Sequence, residues 1–196
     1  MTARVVLATG NKHKVTEVRR ILQPLLDIDI VGGPELDVEE TGDTFEQNAL
    51  IKARAYAHAT GLPAVADDSG LCVDALGGAP GVRSARWAGE HGDDEANLRL
   101  VLTQVADVPD DERGAAFVCV AALVTPDGVE RTVEGRMEGT LTREPRGSGA
   151  FGYDPIFVPT GETRTSAELS AEEKDAISHR GRAFRALAPL LAELFG

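Results

Sequence analysis

The chain has 196 residues, 42% of them hydrophobic but only 5% aromatic, and a formal net charge of −12 at pH 7. This length suits one domain, or one domain with two lobes, whose core consists mainly of Ala, Val and Leu. The negative charge excludes a broad nucleic-acid-binding surface, because no basic stripe is present to displace counterions. No apolar run has the length of a membrane span or a secretory signal, and the two cysteines are most simply reduced core thiols, so we expect a cytoplasmic protein without membrane contact.

The first predicted elements are a strand over residues 5–7 and a helix over about residues 14–26. The helix is indicated by apolar residues at helical spacing: Val15, Val18, Leu22 and Leu25. Between the two elements, the loop ATGNKHK places backbone N–H groups beside Lys12 and Lys14, where a phosphate can bind. The loop matches neither of the common glycine-rich phosphate motifs, so an ordinary turn capped by Asn11 stays an alternative.

An acidic loop follows a short second strand in which Ile28 and Ile30 alternate with aspartates. The loop, residues 32–43, carries five carboxylates: Glu35, Asp37, Glu39, Glu40 and Asp43. Such a run is usually only solvated. Next to a second carboxylate cluster, however, Glu39 or Glu40 would be placed to bind a metal ion.

A helix starts after this loop, where Thr44 and Gln47 resemble a capping box. Four of its residues are expected to face the core: Ala49, Ala53, Tyr56 and Ala57. Gly61 and Pro63 end the helix and lead into residues 62–74, LPAVADDSGLCVD, the most informative stretch of the chain.

In this stretch, residues 64–66 indicate a buried strand that stops at Asp67 and Asp68. The carboxyl ends of strands form the edge at which open α/β sheets bind ligands. Adjacent carboxylates repel each other unless a cation lies beside them, which indicates a divalent metal with oxygen ligands, and Mg²⁺ first of all. The alternative is a polar turn in which Gly70 supplies a positive φ.

The middle of the chain predicts a third helix and a hairpin. A glycine-rich turn precedes Arg83, Ser84 and Arg86, which either hold an anion or anchor the loop. The helix starts at Asp93 or Asp94, and residues 109–113 indicate a charged loop. The apolar stripe of this third helix is typical of core packing: Leu98, Val101, Leu102 and Val105.

Residues 115–124 and 129–137 are separated by Pro-Asp-Gly and predict an antiparallel hairpin, extended by residues 139–141. The central sheet should therefore be mixed. Cys119 in this hairpin and Cys72 before it lack the spacing of metal ligands, so both are expected to be reduced core thiols.

The C-terminal part combines an aromatic glycine loop with helices. Phe151 and Tyr153, ahead of a strand over residues 156–158, either stack on a base or fill a core edge. Ser170 and Glu173 predict a capping box, and the final helix opens with Ser178-His179-Arg180 and contains Pro189, which should kink it. Five of its residues are expected to face the core: Ala183, Leu187, Leu190, Leu191 and Leu194.

His179 and Arg180 stand at the start of that helix, where the helix dipole favours negative charge rather than positive charge. This placement suggests that the two residues bind a ligand. A solvated helix start is the alternative.

Six of these stretches, in this order, resemble the inosine triphosphate pyrophosphatase-like (Ham1-type) family, whose enzymes hydrolyse deaminated purine nucleoside triphosphates such as dITP, ITP and XTP. The stretches are TGNKHK (9–14), TFEQNALIKA (44–53), ADDSGL (66–71), PGVRSAR (80–86), FGYDP (151–155) and SHR (178–180). The resemblance implies a single two-lobed α/β domain over residues 1–196, with a mixed central sheet flanked by helices. It also implies a homodimer, a Mg²⁺ requirement, and an active site in the cleft between the lobes.

The resemblance further implies roles for individual residues. Asp68 is expected to be the general base and a metal ligand, with Glu39 as the second ligand. Triphosphate is expected to contact Thr9, Gly10, Asn11, Lys12, His13 and Lys14, with Ser69 beside it and Lys52 near it. The purine base of the nucleotide is expected to be held by Phe151, Gly152, Tyr153, Asp154, Lys174, His179 and Arg180. The chain departs from the family at Gln47, where Glu is usual, and this leaves the role of that position open.

The implied reaction is attack of a water on the α-phosphorus, with Asp68 accepting the proton, to give the monophosphate and pyrophosphate. Donors on His179 and Arg180 would favour a keto base over adenine, because a donor that faces the adenine amine stays unpaired. Two other functions remain open. One is a Maf-like pyrophosphatase that prefers other nucleotides, such as dTTP or UTP, and the other is a protein that binds dITP without releasing pyrophosphate.

Overall fold

The structure is a computed structural model that describes residues 3–9, 12–148 and 151–195, without the side chains of Lys12 and His13. In these residues the chain forms a six-stranded sheet with helices. The strands are β1 (Ala3–Leu7), β2 (Ile28–Gly32), β3 (Ala64–Val73), β4 (Gly114–Val124), β5 (Glu130–Leu141) and β6 (Phe157–Pro159). The α-helices are α1 (Lys12–Leu22), α2 (Phe45–Thr60), α3 (Asp94–Gln104), α4 (Ala171–Ile177) and α5 (His179–Phe195).

The sheet is mixed, as predicted, with the strand order β2-β1-β3-β4-β5-β6. β1 pairs in parallel with β2 and β3, whereas β5 pairs antiparallel with β6. The predicted hairpin of β4 and β5 is confirmed by backbone bonds at its two ends, from Thr125 N to Val129 O (2.9 Å) and from Leu141 N to Arg113 O (2.9 Å). The two bonds share one antiparallel register.

The chain divides into two compact units, and the boundary falls inside β3, β4 and β5. The first unit contains Met1–Asp68, Cys119–Gly135 and His179–Gly196, and the second contains Ser69–Val118 and Arg136–Ser178. The expected position of the active site in a cleft between two lobes stays a prediction.

In the first unit, successive residues of a strand face different cores, because side chains alternate across a strand. Val65 of β3 and Cys119 of β4 pack in a cluster with α1 and α5, which includes Val18 and Phe184. Ala66 of β3 packs instead in a cluster with α2. The four residues predicted to face inward from α2 are all buried there: Ala49, Ala53, Tyr56 and Ala57.

The strand that carries the aspartates is longer than predicted. β3 continues through Asp67 and Asp68 to Val73, so the two carboxylates lie within the strand and not at its end. Leu71 and Val73 are buried in the core of the second unit, which keeps the chain extended beyond the polar residues. Gly70 is not among the glycines with positive φ, so the alternative of a turn at this point is wrong.

Helix α1 ends at Leu22 rather than near residue 26. Pro24 has no N–H group to continue the helical hydrogen bonds after the bond from Gln23 N to Arg19 O (2.9 Å). The next two N–H groups, of Leu25 and Leu26, both bond to Leu22 O (2.9 and 3.0 Å), which closes the helix with a turn. Leu25, predicted on the apolar face of the helix, is consequently 51% exposed.

The second unit has its own core of apolar residues from α3, β4, β5 and β6. Arg113, predicted to lie in a charged loop, is buried here and 2% exposed. Its guanidinium donates to the carbonyl oxygens of Leu141 (3.0 Å), Val105 (2.6 Å) and Thr142 (2.9 Å). The loop is therefore pinned to β5 by a buried cation.

The predicted helix ends are largely confirmed. Thr44 caps α2, Gly61 ends it with φ of 66°, and Ser170 and Glu173 form the capping box of α4. Pro189 lies inside α5, and Leu194, predicted to face the core, is among the exposed apolar residues. None of the described helices combines the length and apolar content that crossing a bilayer requires.

Candidate active site

The two adjacent aspartates of β3 point to opposite sides of the strand. Asp67 follows Val65 towards α1 and α5, where Lys14 Nζ lies 3.0 Å from its Oδ1 atom. Arg180 Nε donates to Asp67 Oδ2 at 3.2 Å, and Arg180 Nη1 donates to Glu17 Oε2 at 2.9 Å. Asp67 therefore joins the first turns of two helices through two cations.

Asp68 follows Ala66 towards α2. Its Oδ2 atom accepts a hydrogen bond from Asn48 Nδ2 at 3.2 Å, and its Oδ1 atom lies 3.5 Å from Lys52 Nζ. The same ammonium lies 2.7 Å from Glu40 Oε1 in the acidic loop. Two carboxylates from different segments thus converge on one lysine.

The two carboxylates differ in their pKa. Burial raises the pKa of Asp67, but the charges of Lys14, Arg180 and Lys52 outweigh burial and hold the pKa well below its usual range. For Asp68, burial raises the pKa, and the nearby charge of Lys52 does not fully offset this effect. Asp67 therefore stays ionised at neutral pH, whereas Asp68 has the more basic carboxylate of the pair.

Arg180 and Lys52 keep their positive charge because carboxylates surround them. Burial lowers the pKa of Arg180, but Asp67 and Glu17 outweigh it, so the pKa is raised. Burial likewise lowers the pKa of Lys52, and the charges of Asp68, Asp67 and Glu40 more than offset it. Both side chains stay positively charged at neutral pH.

A pocket of about 220 Å³ opens beside these groups within the first unit. Its lining combines polar groups with a few apolar ones: Ala8, Thr9, Lys14, Leu36, Val38, Glu40, Lys52 and Tyr56. The phosphate-binding loop predicted from the sequence therefore borders a pocket that Glu40 also lines. Of that loop, Gly10 and Asn11 lie outside the described residues, as do the side chains of Lys12 and His13.

The motif FGYDP lies in the second unit, where most of it is fixed by hydrogen bonds. Tyr153 donates its hydroxyl hydrogen to Ser84 O at 2.7 Å, and Gly152 N donates to Asp94 Oδ2 at 3.1 Å. The buried Asp154 forms an ion pair with Lys174 of α4. Phe151 is 65% exposed, so of the two aromatic residues Tyr153 fills the core and Phe151 presents its ring to solvent.

Ser84 anchors its loop. Its Oγ atom donates to Gly81 O at 2.7 Å and accepts a hydrogen bond from Leu71 N at 2.9 Å. The sequence left open whether Arg83, Ser84 and Arg86 hold an anion or anchor the loop, and Ser84 anchors the loop.

The structure distinguishes the two glutamates that the sequence left as candidates. Glu40 reaches Lys52, as described above, whereas Glu39 is exposed. Ser69 is the first residue of the second unit and is partly exposed. Ligation by Glu39 and phosphate binding by Ser69 stay predictions.

Sequence reasoning did not single out Asn48 or Glu17. Asn48 has a recognisable signal, because it lies four residues before Lys52 and eight before Tyr56, on one stripe of α2. Glu17 has no such signal, since a glutamate in the second turn of a helix is usually exposed. Gln47, where the related family usually has Glu, accepts a hydrogen bond from Asp43 N through its side-chain oxygen at 2.7 Å. Glu has the same acceptor, so this capping role tolerates either residue.

The motifs and the fold together define a nucleotide-hydrolase type of α/β protein, and similarity to known proteins identifies the family. Residues 5–190 match the profile of the Ham1 family. The chain belongs to the Ham1 family.

The similarity extends over nearly the whole chain. The dITP/XTP pyrophosphatase of Streptomyces coelicolor is 64% identical, and the alignment covers 98% of this chain and 99% of that protein. A crystal structure of the nucleoside-triphosphatase (dITP/XTP pyrophosphatase) of Mycobacterium abscessus is 56% identical with a TM-score of 0.78, covering 95% and 99% of the two chains. A HAM1 protein from Coxiella burnetii is 44% identical with a TM-score of 0.88, covering 98% and 100%.

Proposed function

We propose that this protein hydrolyses non-standard purine nucleoside triphosphates, namely dITP, ITP and XTP, to the monophosphate and pyrophosphate. In the cell this reaction removes such nucleotides before they enter DNA or RNA. The observation that carries the proposal is the environment of Asp68, a largely buried carboxylate with a raised pKa beside Lys52 and Glu40. The 64% identity to a dITP/XTP pyrophosphatase supports the choice of substrate.

In the proposed mechanism, Asp68 accepts the proton of the water that attacks the α-phosphorus. Burial raises its pKa towards the working pH, and a base is most effective when its pKa lies near that pH. The hydrogen bond from Asn48 and the ammonium of Lys52 hold the carboxylate in one orientation. Asp67 is held by Lys14 and Arg180, so it keeps those cations in place and does not share the role of base.

The donor set next to Asp68 fits Mg²⁺. Glu40 and Asp68 offer carboxylate oxygens, the ligands of a hard cation, and no group of three or more His, Cys, Asp or Glu residues in the described chain is arranged to hold a metal. Mg²⁺ typically binds one or two carboxylates and completes its shell with water and substrate phosphates. When bound, it would neutralise the charge that develops on the phosphates.

The charge balance of the site also favours a divalent cation. Lys14, Lys52 and Arg180 face four carboxylates, those of Asp67, Asp68, Glu40 and Glu17. Among these described side chains, one negative charge is in excess before an anionic triphosphate enters. We expect Thr9 and Lys14, which line the pocket, to contact the phosphates together with the loop between them and with Ser69.

The purine base of the nucleotide is proposed to lie against Phe151–Asp154, Lys174, His179 and Arg180. Phe151 offers an exposed ring for stacking, and the ion pair of Asp154 with Lys174 fixes the polar groups next to it. The relatives' names indicate a deaminated purine, and a donor facing its C6 oxygen would leave adenine with an unpaired contact. We further propose a cytoplasmic homodimer that binds no nucleic acid, in keeping with the charge of −12.

A pyrophosphate-release assay tests the function. dITP, ITP, XTP, dATP, dGTP, dTTP and UTP are compared with and without Mg²⁺, and the wild type is expected to prefer dITP, ITP and XTP and to need the metal. Asp68→Asn should lower kcat by at least about 100-fold, because general-base catalysis contributes that much, while nucleotide binding stays measurable.

The control is Asp29→Asn, which removes an exposed carboxylate of β2 that pairs with Arg4 and should keep wild-type kcat. Near-normal turnover of Asp68→Asn would contradict the assignment of Asp68 as the general base. Faster hydrolysis of dTTP or UTP than of dITP would favour a Maf-like pyrophosphatase instead, and binding of dITP without pyrophosphate release would favour a non-catalytic protein.

A further inference from the structure

Asn48 is a fully buried polar side chain on α2, and its amide makes two hydrogen bonds in different directions. Its Nδ2 atom donates to Asp68 Oδ2 at 3.2 Å. Its Oδ1 atom accepts a hydrogen bond from the backbone N–H of Gly42 at 2.8 Å. One side chain therefore contacts both the strand that carries Asp68 and the loop that carries Glu40.

The loop is in tight contact with the helix at this point. A Cβ atom on Gly42 would lie 2.7 Å from Asn48 Oδ1 and 2.6 Å from Gln47 Cβ, closer than side-chain atoms tolerate. Only glycine allows this approach without a shift of the backbone or the helix. Gly42 is two residues after Glu40, so the contact determines where the glutamate enters the site.

Asparagine suits this position because its amide carries a donor and an acceptor in a fixed plane. An ionised aspartate of the same shape would accept from Gly42, but it would repel the Asp68 carboxylate instead of donating to it. Alanine would make neither bond. Aspartate thus removes one half of the contact, and alanine removes both.

We propose that Asn48 is a positioning residue that sets the separation of Glu40 and Asp68. It would thereby set the distance between the two metal-binding carboxylates and the orientation of Asp68 as general base. The inference rests on the proposed function of this site and extends it to Asn48, which is not one of the residues that line the pocket. Lys52, four residues further along α2, bridges the carboxylates of Glu40 and Asp68 by charge. Asn48 instead bonds to the side chain of Asp68 and to the backbone of Gly42, two residues after Glu40.

Two variants and one matched control separate positioning from general stability. Asn48→Asp keeps the acceptor for Gly42 and removes the donor to Asp68, and Asn48→Ala removes both. The control is Asn97→Asp, a change in another buried asparagine, on α3, whose Oδ1 atom accepts a hydrogen bond from Ala88 N at 2.7 Å. The measurements are hydrogen exchange of the loop over residues 33–43, kcat and KM for dITP, calorimetric Mg²⁺ binding, and urea unfolding.

In Asn48→Ala, the loop should exchange faster than in the wild type, and Mg²⁺ should bind more weakly. In Asn48→Asp, exchange of the loop should match the wild type. kcat should fall by about 10-fold to 100-fold, because the new carboxylate repels Asp68 and displaces it from its position. KM should stay within about twofold, since the phosphate contacts are untouched. Asn97→Asp should lose stability without a change in the kcat of the folded protein.

Unchanged loop exchange in Asn48→Ala would overturn the proposal, as would wild-type kcat in folded Asn48→Asp. A loss of kcat in Asn97→Asp as large as in Asn48→Asp would also overturn it, because the effect would then follow from any buried asparagine. If the wild type releases no pyrophosphate from any nucleotide, the proposed function fails by itself. The exchange and Mg²⁺ measurements would still decide whether Asn48 holds the loop and the strand together.

Discussion

Asp67 and Asp68 show how strongly one step along a strand changes the chemistry of a side chain. Asp67 is 3% exposed and has a cation at each oxygen, Lys14 at Oδ1 and Arg180 at Oδ2. Asp68 has one ammonium and one amide, and its carboxylate is the more basic. The first residue is suited to hold cations, and the second is suited to accept a proton.

Asp67→Asn tests the structural half of this division. The change leaves Arg180 and Lys14 without their common anion, so we expect the free energy of unfolding to fall by about 3–5 kcal/mol, the usual cost of breaking a buried pair. Urea unfolding at neutral pH without added metal measures it. Asp29→Asn, in an exposed pair with Arg4, should cost less than about 1 kcal/mol.

The contribution of Asp67 to the free energy of unfolding should depend on pH. Because the pKa of Asp67 is lowered on folding, its contribution to stability is present above the unfolded pKa of about 3.9 and is lost as the pH falls below it. The difference between wild type and Asp67→Asn should therefore shrink in acid. A loss as small as in Asp29→Asn, or one that grows in acid, would contradict the role given to Asp67.

At the scale of elements, the start of α5 depends on a glycine in the neighbouring strand. A Cβ atom on Gly135 of β5 would lie 2.1 Å from His179 O and 2.4 Å from Ala183 N. Both are backbone atoms, which cannot rotate away. The first turn of α5, and with it Arg180, is therefore positioned by the absence of a side chain at residue 135.

Gly135→Ala should displace that turn. We expect it to destabilise the protein by about 1–3 kcal/mol, the typical cost of overpacking, and to lower kcat because Arg180 no longer holds Asp67. Gly32→Ala in β2 is the matched control, since its Cβ atom would meet nothing closer than Val15 Cγ2 at 3.7 Å. Urea unfolding and the dITP assay measure both effects, and equal behaviour of the two variants would contradict the argument.

The elements that the sequence predicted well are those with local signals. The Pro-Asp-Gly turn predicts the hairpin, and Ser170 with Glu173 predicts the start of α4. β3 was predicted too short because Asp67 and Asp68 interrupt its apolar pattern, and only the burial of the residues beyond them keeps the strand extended. The charged loop that ends at Arg113 was predicted, but the burial of Arg113 was not, because two of its carbonyl partners, Leu141 and Thr142, lie 28 and 29 residues further along the sequence.

At the scale of the whole molecule, the six motifs were enough to indicate the family, because their order and spacing extend over residues 9–180. The motifs identify the important residues but not their partners. The adjacent aspartates suggested a shared metal, whereas the structure turns one towards α1 and α5 and the other towards α2. Alternation along a strand is predictable, but the charges that face each side depend on distant helices.

Nucleotide binding in the absence of turnover should stabilise the whole protein. In Asp68→Asn, dITP at about 100 times its dissociation constant should stabilise the folded state by about 2.7 kcal/mol, because only the folded chain binds it. For a chain of this size, that raises Tm by about 5–11 °C. dATP at the same concentration should raise Tm less, since its amine meets a donor where the keto base offers an acceptor. Calorimetry on the variant with each nucleotide measures the shifts, and the same protein without nucleotide is the reference. An equal shift with dATP would contradict recognition of the keto group, and a larger shift with dTTP or UTP would indicate that the pocket suits a different class of base.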